Sequence, residues 1–110
     1  MSIMERVSGI GTGLILATTE AAAKSINKGA YAGLRLYIKT GTPTVLTFYD
    51  SPVDSGVFSA AQDTAAGAAA TITVSSPVGK SYDVPACLYA SKFIKVVGDQ
   101  AGTFDTSLIT

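Results

Sequence analysis

YAGLRLYIKTGTPTVLTFYDSPVDSGV, from Tyr31 to Val57, is the stretch that decides the fold class. Leu34, Leu36 and Ile38 alternate with Arg35, Tyr37 and Lys39, and Leu46 and Phe48 alternate with Val45, Thr47 and Tyr49. A period of two puts successive side chains on opposite faces of a strand, so each run has one apolar and one wetter face. Gly41-Thr42-Pro43 separates the runs, and Asp50-Ser51-Pro52 closes the second. Glycine and proline between two alternating runs predict a β-hairpin, and Asp-Ser-Pro predicts a turn after it.

The same pattern continues outward. Strands are expected at Leu14 to Thr19, Val57 to Asp63, Thr71 to Val74, Ser81 to Val84, Phe93 to Val97 and Thr103 to Leu108. Ile72, Val74, Ile94, Val96, Phe104 and Leu108 are expected to face inward. Glu20 to Lys24 is rich in alanine but too short to hold a helix alone, and reads as a turn or a strand extension. Pro85 heads one helical turn, ending by Ser91. The result is an all-β chain, a β-sandwich or jelly-roll-like fold of seven to eight short antiparallel strands at spacings of about 8–12 residues. Residues 1–12 read as a flexible N-terminal arm. Met1, Ile3, Met4 and Val7 there show no period, and Gly9, Gly11 and Gly13 loosen its junction with the first strand. Residues 13–110 form a single domain.

Composition narrows the function classes. The chain has 110 residues, 47% of them hydrophobic, enough for one core. Only 15% are charged and the formal net charge is zero. Basic residues are scattered, which argues against nucleic-acid and membrane partners. A surface so poor in charge suits a protein packed against others. There is one cysteine and no histidine. An intrachain disulfide is impossible, and the chain reads as made in a reducing compartment. Arg6 and the apolar run Val7 to Ala17 loosely mimic a signal peptide, but Glu5, Glu20 and three glycines within Gly9 to Gly13 argue against cleavage.

The chemistry-bearing candidates are weak. Asp50 and Asp54 before Gly56 lack the ligand density of a calcium loop, and turn capping is the expected role. Cys87 has no histidine to activate it and is expected to be buried and structural. Asp63, Asp83, Asp99 and Asp105 sit at strand ends, where solvated aspartate is ordinary. Gly9, Gly11 and Gly13 lack the Gly-Lys-Ser/Thr of a phosphate loop. No catalytic residue, metal site or cofactor is expected, and the protein is read as a non-enzyme. Tyr37 and Tyr49 fall on the faces opposite Leu36 and Phe48. On paired strands they would lie near each other, as an interface, a sugar platform or two half-exposed strand residues.

Gly29 to Leu108 resembles a group of small β-sandwich proteins from the virions of tailed bacteriophages. The likeness lies in an order of features. Tyr31-Ala-Gly33-Leu-Arg35-Leu-Tyr-Ile comes first, then Thr47-Phe-Tyr49-Asp-Ser51. Ser81-Tyr-Asp-Val-Pro85-Ala and Leu88-Tyr-Ala-Ser-Lys-Phe-Ile94-Lys-Val come next, and a last strand closes the series. The resemblance implies a capsid decoration, or cement, protein on the virion surface, synthesised in the host cytoplasm. It would bind the major capsid protein and staple its subunits, as a homo-oligomer with a trimer favoured. Partner contacts would come from Ile3, Met4 and Val7 of the arm and from Tyr37 and Tyr49. Arg35 is expected to position a loop through carbonyl or carboxylate bonds. A tail, neck or fibre β-module and a carbohydrate-binding module are the alternatives.

Overall fold

Two antiparallel sheets face each other across one apolar core. The computed structural model describes residues 11–31, 33–54, 56–62 and 69–109. In chain order the strands are β1 (Gly11–Leu16), β2 (Ile26–Asn27), β3 (Gly33–Gly41), β4 (Val45–Ser51), β5 (Ser59–Ala60), β6 (Thr71–Thr73), β7 (Ser81–Asp83), β8 (Phe93–Gly98) and β9 (Gly102–Ile109). A single 3-10 turn, Ala86–Leu88, comes after Pro85 where a helical turn was expected. One sheet runs β1-β9-β3-β7. The other runs β2-β8-β4-β5, with β6 also on β4. The described chain is an all-β sandwich.

The alternation read from sequence holds. Leu34, Leu36, Ile38, Leu46, Phe48, Ile94, Val96 and Phe104 are buried between the sheets, with Ile72 and Leu108 packed against them. Val84 and Leu88 plug the end of this core.

The hairpin does not form. β3 pairs with β7 and β9, and β4 pairs with β5, β6 and β8, so the two strands lie in different sheets. Gly41-Thr42-Pro43 is a corner between sheets, prepared by a register shift in β3 between Ile38 and Thr40. Gly41 has φ +99°, and an added Cβ would stand 2.4 Å from the Ala101 carbonyl oxygen. Beyond the corner Pro43 is fully buried, and Asp99 Oδ1 accepts the Thr44 N–H at 2.8 Å. Each run thus finds its partner far along the chain, which local alternation does not encode.

Other boundaries also shift. The expected strand from Val57 to Asp63 reduces to β5, and Asp63 lies outside the described residues. β1 ends at Leu16, after which Ala17 bridges to Val97 and accepts the Gly98 N–H, tying the two sheets together along one side. The alanine-rich segment is a turn, with Ala23 N–H donating to the Thr19 and Glu20 carbonyls. It lies on the outer face of β8, where Ala17, Ala23, Val97 and Tyr49 form a second small cluster. Lys95 fastens it, with Nζ 2.9 Å from Glu20 Oε2 and 4.6 Å from the centre of the Phe58 ring.

Candidate functional site

β3 leaves one end of the sandwich and β4 returns to it, so Gly33, Ser51, Phe93 and Ile109 all stand at that end. Four of the six large apolar side chains exposed among the described residues gather there: Tyr31, Val53, Val57 and Tyr89. Val57 is 88% exposed. A groove of about 490 Å³ opens at the same end, and of these four only Val57 lines it, with Asp50, Ser51, Cys87, Ser91 and Lys92 among its other walls.

Local hydrogen bonds fix the rim of this groove. Ser51 Oγ donates to the Val53 carbonyl at 2.7 Å and accepts the Val53 N–H at 3.2 Å, so Ser51 holds the turn expected of the aspartates. Asp50 instead accepts a hydrogen bond from Ser91 Oγ, joining the end of β4 to the segment before β8. Cys87, expected to be buried, is exposed on the 3-10 turn, because that turn points Leu88 into the core instead. Among the described residues no group of three or more His, Cys, Asp or Glu is placed to hold a metal ion.

Sequence reasoning missed the residue that organises this end. Lys28 is 1% exposed, and its Nζ donates to the carbonyls of Tyr31 at 2.8 Å and Tyr89 at 2.7 Å. Burial lowers its pKa from the ordinary lysine value. The two bonds lock the Tyr31 and Tyr89 segments side by side. Tyr89 then lies against Gly33, where an added Cβ would meet its ring at 2.9 Å. Asn27-Lys28-Gly29 looks like an ordinary solvated turn, and lysine is almost never fully buried, so nothing in the sequence marks it.

The residues expected to touch a partner are scattered. Ile3, Met4 and Val7 lie outside the described residues. Tyr37 and Tyr49 are not neighbours: they stand on the outer faces of opposite sheets. Tyr37 Oη is 3.0 Å from Ser107 Oγ, and Tyr49 packs in the alanine-rich cluster. Separating β3 from β4 moved them apart. Arg35 engages Asp83 and Ser81 of β7, so its carboxylate partner lies on a neighbouring strand. Arg35 and Asp83 are 40% and 47% exposed, and the pair adds little stability.

No protein-family model, curated protein or solved structure matches this chain. Among the described residues no helix is long and apolar enough to cross a membrane. The exposed end is therefore read on its own chemistry. Exposed tyrosine and valine side chains at this end suit burial against another protein's apolar side chains.

Proposed function

We propose that this protein is a non-enzymatic virion structural protein, a decoration protein that binds the assembled head of a tailed bacteriophage and stabilises it. The observation that carries the reading is the concentration of Tyr31, Val53, Val57 and Tyr89 at one braced end of the sandwich. Clustered exposed aromatic and aliphatic side chains are the usual centre of a protein interface. The low charge of the chain and the virion-protein resemblance of Gly29 to Leu108 support the same reading. The partner is the major capsid protein, and the decoration protein acts as a homo-oligomer, a trimer being favoured.

The mechanism is mass action. A ligand that binds the assembled shell and not its separated subunits stabilises the shell in proportion to RT ln(1 + [L]/Kd). This task requires a rigid surface and many copies rather than a reacting group.

The test is quantitative mass spectrometry of density-purified virions. A copy number comparable with that of the major capsid protein is expected. A few copies per particle would assign the protein to the tail, neck or fibre, and none would remove the reading. Val57→Asp separates binding from folding: the side chain is almost fully exposed, so stability changes by less than about 0.5 kcal/mol. Loss of an interface anchor costs about 2 kcal/mol, roughly a thirtyfold rise in Kd for undecorated particles.

A further inference from the structure

Three connections build the exposed end of the sandwich, and each carries part of its apolar surface. The one between β2 and β3 brings Tyr31, the one after β4 brings Val53 and Val57, and the one between β7 and β8 brings Tyr89. Connections that must be ordered on association weaken binding, unless the free protein already holds them in place.

Two side-chain bonds behind the surface hold these three together. Lys28 Nζ donates to the Tyr31 and Tyr89 carbonyls, and the Lys28 N–H donates to the Lys92 carbonyl at 3.0 Å, so the β2–β3 connection is fixed to the β7–β8 connection. Ser91 Oγ donates to Asp50, which fixes the β7–β8 connection to the end of β4.

The choice of a lysine is telling. A buried charge is costly unless it is paired, and an apolar side chain of similar volume often serves stability as well. Among the described residues no carboxylate pairs with Lys28, whose side-chain acceptors are two neutral carbonyls. An apolar side chain would hold neither of them. What the ammonium adds is a fixed placement of two tyrosines that face solvent.

We propose that Lys28 is the positioning residue of the binding end: it holds Tyr31 and Tyr89 as one preformed anchor for the partner. Lys28 itself is buried behind that anchor. This inference rests on the reading of this end as the surface that binds the viral shell. Each side chain ordered on association weakens binding roughly 2–12-fold, so freeing both tyrosines weakens it about 5–150-fold.

The test compares full-length wild type, Lys28→Met and Gly79→Ala for binding to undecorated particles, well below every melting temperature. Gly79 lies towards the far end of β3, where its N–H donates to the Ile38 carbonyl, so its substitution lowers stability without reaching the tyrosines. Lys28→Met is expected to bind more weakly by the factor above, and Gly79→Ala to bind as the wild type does. Equal losses in both variants, or none in Lys28→Met, overturn the positioning role. Absence of wild-type binding overturns the shell-binding reading itself. Fluorine NMR of protein labelled with meta-fluorotyrosine then separates the two failures, because it needs no partner. In Lys28→Met the Tyr31 and Tyr89 resonances are expected to collapse towards the unstructured position, while Tyr37 and Tyr49 keep theirs and show that the variant is folded. Unchanged Tyr31 and Tyr89 resonances overturn the proposal, whatever the particles bind. Lys28→Gln, a shorter neutral donor, is carried in parallel and is expected to fall between wild type and Lys28→Met in both measurements.

Discussion

Gly41→Ala probes the corner that sends β3 and β4 into different sheets. Gly41 has φ +99°, a region costly to residues with a side chain, and a Cβ would sit 2.4 Å from Ala101 O and 2.8 Å from Gly102 Cα. Both neighbours are backbone and cannot rotate away. The conformational cost is about 1–2 kcal/mol, and relieving an overpacked contact costs about 1–3 kcal/mol more. Gly79 supplies the control, with φ +84° and nothing within 4 Å of its added Cβ. Gly79→Ala therefore carries the conformational cost alone. For a chain of 110 residues, 1 kcal/mol shifts Tm by about 4 °C. Gly41→Ala is expected to melt roughly 8–20 °C below the wild type, and Gly79→Ala roughly 4–8 °C below it. Calorimetry of the three proteins under one buffer measures both terms. If Gly41→Ala costs no more than Gly79→Ala, the close approach of Gly41 to Ala101 is wrong, and so is the corner built on it.

Two further predictions concern charge. Asp99 is held below the usual aspartate pKa of 3.8, first by the Thr44 hydroxyl and then by the Thr44 and Val45 N–H groups. Its contribution is fully present above the unfolded-state value and is lost as pH falls through the lower folded value. The stability gap between wild type and Asp99→Asn should therefore shrink on acidification below about pH 4; a constant gap in melts from neutral to strongly acid pH contradicts the capping role. Lys28→Met keeps an apolar stem but leaves the Tyr31 and Tyr89 carbonyls without their donor. A loss of about 1–3 kcal/mol at neutral pH is expected, with faster amide exchange around Tyr31 and Tyr89. Burial lowers the folded-state pKa of Lys28 while the unfolded value stays near 10.5, so the unfolded chain binds the extra proton between them. Wild-type stability should rise relative to Lys28→Met as pH climbs through that window. Denaturant titrations across alkaline pH check this, and an unchanged difference would argue that Lys28 is solvated.

The sequence by itself determined the class of fold and the inward faces. Alternation at Leu34, Leu36 and Ile38 and at Leu46 and Phe48 is a local property of the chain, and burial tracks it; in β8 Ile94 and Val96 face inward as read, but Phe93 and Val97 are buried as well. Pro85 marked the 3-10 turn for the same reason, since its effect is confined to its neighbours. Strand partners, in contrast, were decided only by tertiary structure. Two alternating runs joined by Gly-Thr-Pro read alike whether they pair in one sheet or stack in two. The choice came from β8, 42 to 52 residues from its partners in β4, from β9, 61 to 76 residues from its partners in β3, and from the contact of Gly41 with Ala101. That choice put Tyr37 and Tyr49 on opposite faces and gathered Tyr31, Val53, Val57 and Tyr89 at one end. It also buried Lys28, whose carbonyl partners lie three residues and 61 residues away. A sequence pattern records which face of a strand is apolar, whereas an exposed patch or a buried cation depends on which distant segments fold against it.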